Sequence, residues 1–344
     1  MFIKILRATA YLLVLTVVLQ CVTEVLRPKD PSQKRIAGFD KEVKGALDVV
    51  CIGSSHAFCT WNPVHLYMRY GIRSCVYGSE SQPIEASLAF VKRALKRHHP
   101  KMIFLESFMF ASATGEKKIK TAPAHRAIDS YPWGKDRISL IESMVPSGGK
   151  EDMYFDVRQY HSRWKSLEID DFSICGERDC CHGCQLIGKM VPITQYLYNL
   201  DKIWDRGINA YLAVRLDQIN QLVKSHGAKL VVFTAPFHAM TENARFCKGL
   251  SRFLRSRGIE YMNFIDEKSG LKLDVKADFA DNKDGHLNIY GMEKVMDYVG
   301  EVLRNRYHLS SDSRYKDEWM ADIAQYEMVK DKEIAKWRKS TGGR

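Results

Sequence analysis

The chain opens with an apolar run that has no polar face. From Ala8 to Thr23 no residue is charged, and Lys4 and Arg7 precede the run. This pattern predicts a membrane-crossing helix over 1–27 rather than a core helix, which would carry a polar stripe. No small-x-small cleavage site follows, because the next residues are Glu24 to Pro28. Gln20 before Cys21 is too large for lipoprotein processing. The expectation is therefore an uncleaved, single-pass cell-membrane anchor with the bulk of the chain outside the cytoplasm. The polar stretch 28–45 reads as a stalk.

Beyond it the hydrophobic pattern changes period. Leu47–Ile52, Ser74–Tyr77, Met102–Leu105, Lys229–Thr234 and Glu260–Phe264 are short apolar runs of strand length. Between them, Gln82–His98, Pro192–His226, Thr241–Arg257 and Ile289–Leu303 carry apolar residues at helical spacing. Buried strands alternating with helices predict a flavodoxin-like, three-layer α/β core with a parallel sheet, over 46–106 and 201–308. Residues 107–200 are too long for an ordinary crossover and read as an insertion or lid. The charged segment 309–344 has a weak helical pattern and reads as a solvated terminal helix.

The 344 residues carry a formal net charge of +11, which suggests an anionic neighbour such as a lipid surface or an acidic polymer. No zinc-finger, RRM or helix-turn-helix pattern accompanies the charge, so nucleic acid is not an expected partner. Cys175, Cys180, Cys181 and Cys184 surround His182. Outside the cytoplasm these cysteines would form disulfides; a zinc site and free thiols are the alternatives. No cofactor is expected.

Two places hold candidate chemistry. The first strand ends in Gly53-Ser54-Ser55, which presents a hydroxyl at the carboxyl edge of the sheet, where α/β active sites lie. Far along the chain, Asp284-Gly285-His286 precedes the last helical pattern and supplies a base for Ser55. Glu106 ends the third strand on the same edge, where a carboxylate is unexpected without a partner. His238, just after the fourth strand, reads as structural. His98 and His99, at the other end of the sheet, read as a helix terminus.

These blocks resemble those of the SGNH (GDSL-type) hydrolases, and in particular the cell-envelope branch that includes the D-alanyl transfer protein of teichoic acid synthesis. Gly53-Ser54-Ser55 stands where the family has Gly-Asp-Ser, Gly78 where it has an oxyanion-hole glycine, and the segment around His286 where it has Asp-x-x-His. The resemblance implies Ser55 as nucleophile, His286 as base, and the amides of Ser55 and Gly78 as oxyanion donors. The chain departs from the pattern twice. Lys283 occupies the usual aspartate position, leaving Asp284 or Asp281 to orient the imidazole, with Asp284 nearer in sequence. No asparagine follows the third strand, so either Gln82 or Ser107 substitutes as a side-chain donor or the hole rests on the amides of Ser55 and Gly78 alone.

The implied activity is that of a serine esterase or O-acyltransferase acting on an acylated envelope glycan or polymer, with a membrane-bound O-acyltransferase as a companion. The alternative is a degenerate member that binds glycan or docks such an acyltransferase. A metal-dependent hydrolase built on the cysteine cluster is a third reading.

Overall fold

The computed structural model describes residues 1–115, 121–172, 179–309 and 314–340. In chain order the elements are α1 (Phe2–Leu26), α2 (Pro31–Phe39), β1 (Val49–Gly53), α3 (Ser55–Phe58), α4 (Pro63–Tyr70), β2 (Ser74–Gly78), α5 (Ile84–His98) and β3 (Met102–Glu106). The insertion follows, with α6 (Thr121–Ile128), α7 (Lys135–Met144), α8 (Lys150–Tyr154) and α9 (Asp156–Tyr160). The chain then returns through α10 (Ala210–Ser225), β4 (Lys229–Thr234), α11 (Thr241–Ser256), β5 (Glu260–Asn263), α12 (Ile289–Asn305) and α13 (Lys316–Ser340).

All five strands are parallel, in the order β2-β1-β3-β4-β5, which is the flavodoxin-like arrangement. Successive side chains of a strand point to opposite faces. Val50, Ile52, Ile103, Leu105 and Val232 therefore pack with α5, α10 and α11 on one side. Val49, Cys51, Phe104, Val231 and Phe233 pack with α4 and α12 on the other. Strand order reverses between β1 and β3, so the crevice at a doubly wound switch point opens beyond Gly53 and Glu106.

Three segments differ in form from their sequence patterns. Residues 31–39 are not an extended stalk. They form α2, whose Ile36 and Phe39 are fully buried, and Phe39 stacks on Tyr77 at 3.9 Å. Asp30 starts this helix by accepting from the Gln33 amide, with Pro31 at its first turn. The helical pattern over 192–226 yields a helix only from Ala210; residues 192–209 are mostly irregular, with Pro192 unable to donate and Gly207 at φ +73°. The charged tail is a helix, α13, as its pattern suggests, but it is not wholly solvated: it docks on the body through Trp319 and Tyr326, 2% and 1% exposed.

The insertion wraps the core. Its first half lies over α2 and α5, where Ala127, Ile128, Leu140, Ile141 and Met144 join their apolar cluster. Its second half crosses to the opposite face, where the amides of Val191 and Ile193 donate to the carbonyls of Phe279 and Val275. That second contact buttresses the loop before α12, which carries His286.

α1 is 25 residues long, apolar along its length, and exposed apart from its last turns. It is long and apolar enough to cross a membrane.

Candidate active site

Ser54 and Ser55 share one turn and do different things. Ser54 caps α3, its Oγ accepting from the His56 amide and donating to Glu106 Oε2 at 2.8 Å. Ser54 is 2% exposed. Ser55 is the first residue of α3 and its side chain is turned the other way. Its Oγ lies 2.8 Å from His286 Nε2.

His286 in turn places Nδ1 2.7 Å from Asp281 Oδ2. A carboxylate only accepts, so the proton is on Nδ1 and the Nε2 lone pair faces the serine hydroxyl. The structure thus brings Ser55, His286 and Asp281 together in a hydrogen-bonded row. Asp281, not Asp284, is the carboxylate on the imidazole. The 281–286 turn closes by folding around it. Asp281 Oδ1 accepts from the amides of Lys283, Asp284 and Gly285, at 3.1, 2.7 and 2.9 Å, and Oδ2 from the His286 amide at 3.2 Å. Gly285 makes this turn possible, since its φ is +71° and a Cβ there would meet the His238 amide nitrogen at 2.1 Å. Partial burial would raise the Asp281 carboxyl, but the bonds from His286 and from the Gly285 and Asp284 amides outweigh it. The group is held well below the usual carboxylate range.

Asp284 contributes its backbone. Its carbonyl lies 3.2 Å from His56 Nε2, a bond the spacing of the motifs does not announce. His56 is 1% exposed and stacked between Phe108, centroids 3.7 Å apart, and His286, centroids 4.5 Å apart. Donation to a carbonyl puts its proton on Nε2 and leaves Nδ1 buried with no hydrogen-bond partner. Burial first, then repulsion from His286, pushes this imidazole down to about 3. It is a neutral ring lying against the base. In sequence it is only the residue after Ser55, so nothing short of the tertiary fold shows that role.

Glu106 lies under the nucleophile turn, packed over Gly53. Its partners are hydroxyl and amide donors rather than a basic side chain: Ser54 Oγ at 2.8 Å and the Phe108 amide at 2.5 Å. Burial raises this carboxyl to about 7, while those hydrogen bonds hold it from going further. His238 bridges Thr194 Oγ1 and the Asn282 carbonyl, each at 2.9 Å, and so supports the 281–286 turn from behind.

The oxyanion candidates divide. Gly78 ends β2 against β1, where a Cβ would sit 2.3 Å from the Gly53 carbonyl oxygen. The Ser55 amide belongs to the first turn of a helix, where amides have no intrahelical acceptor. The two side-chain candidates are committed elsewhere. Gln82 accepts from the Ser79 amide at 2.9 Å and donates to Ser87 at 3.1 Å. Ser107 pairs with Thr234 at 2.6 Å, inside the core.

The cysteine cluster stands apart from this site. Cys180, Cys181 and Cys184 are free thiols; Cys175 lies outside the described residues. Ligand atoms of Asp179, Cys180 and Cys181 lie within 4.8 Å of one another. Both Asp179 oxygens, however, already accept from the amides of Cys181 and Gly183. His182 faces away, fully buried between Glu42 at 2.8 Å and Asp322 at 3.2 Å. Burial would lower this imidazole, but the two carboxylates raise it to about 9.

No family model matches the chain, and no curated protein does. Among solved structures the chain is similar to a protein of the G-D-S-L family, described provisionally as lipolytic, from Desulfitobacterium hafniense DCB-2. The identity is 12%, the match covers 74% of this chain and 98% of that one, and the TM-score is 0.36. A likeness that distant supports no further argument, and the fold and site rest on this chain's own geometry.

Proposed function

We propose that this chain is a membrane-anchored, extracytoplasmic serine esterase or O-acyltransferase that works through an acyl-Ser55 intermediate. The observation that supports it is the row Ser55 Oγ, His286 Nε2 at 2.8 Å, His286 Nδ1, Asp281 Oδ2 at 2.7 Å. In the first half-reaction Ser55 Oγ bonds to the acyl carbon and its proton passes to His286 Nε2. The Ser55 and Gly78 amides receive the oxyanion. Collapse of the tetrahedral intermediate breaks the ester C–O bond, and the leaving alcohol takes the proton back from Nε2. Water, or the hydroxyl of an acceptor, then attacks the acyl-serine by the same steps in reverse. Asp281 stays ionised throughout and stabilises the imidazolium.

The anchor and the net charge of +11 favour an acylated envelope polymer over a free small ester, with a membrane-bound O-acyltransferase as a companion. On this reading the domain lies outside the cytoplasm, with Lys4 and Arg7 ahead of the apolar run, although Arg27, Lys29, Lys34 and Arg35 beyond it weaken the charge asymmetry. One observation favours the rival reading, a glycan-binding or acyltransferase-docking protein without catalysis. Gln82 and Ser107 are unavailable as oxyanion donors, and one lost donor typically costs about 10²–10³ in rate.

Fluorophosphonate labelling of the full chain, read by intact mass, separates the two. Wild type labels, Ser55→Ala does not, and Asp281→Asn labels about 10³–10⁴-fold more slowly. Asp284→Asn, which keeps both backbone contacts, labels within a few-fold of wild type. Absence of labelling in folded wild type would leave the binding reading in its place.

A further inference from the structure

The insertion leaves a set of large apolar side chains in water, and they collect around the foot of α1. Trp133, Phe155, Trp164, Ile169 and Phe172 are 50%, 55%, 65%, 85% and 57% exposed. Helix α9 and the short turns His161–Ser166 and Ile169–Phe172 all contact α1. Exposed apolar residues scattered singly need no explanation, but five on segments that contact α1 or line a groove with it do.

That face is held rigidly. Arg27 ends α1 and pairs with Asp156 at 2.7 Å, which Arg137 also grips at 2.9 Å. Arg163 donates to the Leu26 carbonyl at 2.8 Å and pairs with Asp171 at 2.9 Å. These contacts leave no free spacer between the last turn of α1 and the insertion.

The length of α1 then sets the depth. Its 25 residues extend about 37 Å at 1.5 Å per residue, against a hydrocarbon thickness of about 30 Å. A groove of about 710 Å³ runs beside it, lined by Thr16, Leu19 and Gln20 on the helix and by Trp133 and Phe155 on the insertion. The charged residues Glu24, Arg27, Asp40, Asp129, Arg137 and Asp156 are also on its wall. Residues 16–20 lie two turns or so inside the outer end of the span. Side chains that share a groove with them are at the depth of the outer headgroups and upper acyl chains.

We infer that this face of the insertion is a lipid-docking surface. Trp133, Phe155, Trp164, Ile169 and Phe172 enter the outer leaflet beside α1, so the domain lies on the membrane rather than standing off it. The occupant of the groove is bilayer lipid, continuous with the lipid around α1. Tryptophans at the boundary and a cation beside one of them, Lys165 Nζ 5.7 Å from the Trp164 ring, suit a headgroup layer. The inference rests on the reading of α1 as a membrane anchor.

The test uses the full chain in phosphatidylcholine vesicles carrying lipids brominated near the headgroup end of the acyl chain. Wild-type tryptophan fluorescence is quenched, the variant Trp133→Phe/Trp164→Phe loses most of that quenching, and Trp204→Phe keeps it. Carbonate extraction is run alongside. A chain that resists extraction but is quenched equally in wild type and both variants overturns the docking surface alone. A chain released by carbonate overturns the anchor, and the docking surface with it.

Discussion

His56 has no route to carry a charge. It is closed in by Phe108 and His286, and its one hydrogen bond goes to a carbonyl. Its pKa falls from 6.5 to about 3 in the fold. Between those values the unfolded chain binds a proton that the folded chain refuses. Stability from this group is therefore complete above pH 6.5 and is lost as pH falls toward 3, by on the order of 5 kcal/mol. Glu106, raised to about 7, acts in the opposite direction: its contribution is greatest at acid pH and declines as pH rises from 4.5 to 7. Replacing His56 with Phe keeps a ring in the stack and removes the titration. Denaturant unfolding from pH 4 to 7 should show wild type losing stability with acid relative to His56→Phe, and parallel curves would disprove the assignment. The same variant releases the Asp284 carbonyl and should slow Ser55 labelling at neutral pH without abolishing it.

At the scale of elements, the site depends on how α12 begins. Asn288 is fully buried and joins three chain segments. Its Oδ1 accepts from the Gly291 amide at 3.1 Å, capping the helix, and its Nδ2 donates to Lys189, Ala277 and Phe279 carbonyls at 3.2, 2.7 and 3.3 Å. Asn288→Ala loses the cap and strands buried carbonyls, at a cost of about 2–4 kcal/mol. Asn288→Asp keeps the cap alone. Both should lower the thermal midpoint, Ala more than Asp, and both should slow labelling at temperatures where the fold persists, because His286 is two residues upstream. Equal midpoints for the two variants would mean that the cap does nothing, and a wild-type midpoint for Asn288→Asp that the donor arm does nothing. The strands and the helices α5, α11 and α12 were legible as apolar runs of the right period. Helix α2 was not, because its first turns carry Ser32, Gln33, Lys34 and Arg35, and three of these are buried along with Ile36 and Phe39, a burial that no hydrophobic period announces.

For the molecule as a whole, α13 ties together parts distant in the chain. Trp319 stacks on His182, centroids 4.0 Å apart, and on Tyr67 at 4.5 Å, while Tyr326 accepts from Asn62 at 2.7 Å. Trp319→Ala should cost about 3–5 kcal/mol in denaturant unfolding, as for a large core side chain. A loss under about 1 kcal/mol, the range of a surface position, would return α13 to the solvated tail that its charge suggests. Two aromatics seven positions apart in a helix dominated by Lys, Glu and Asp make a weak signal, since what they bury against comes from α4 and from the insertion.

The sequence alone determined the alternation of strands and helices, the long apolar segment at the N-terminus, and the pair Ser55 and His286 proposed as nucleophile and base. Each of these is local: a hydrophobic period, an uncharged run, a small-residue turn at a strand end, a histidine before a helix. The choice of Asp281 over Asp284, the neutral His56 against the base, the commitment of Gln82 and Ser107 elsewhere, and the clustering of exposed aromatics at the foot of α1 were decided only in three dimensions. Spacing of five or two residues does not say how a turn bends. Here Gly285 takes a positive φ and four amides converge on Asp281, so the more distant carboxylate reaches the imidazole, while the exposed Asp284 contributes its amide and carbonyl.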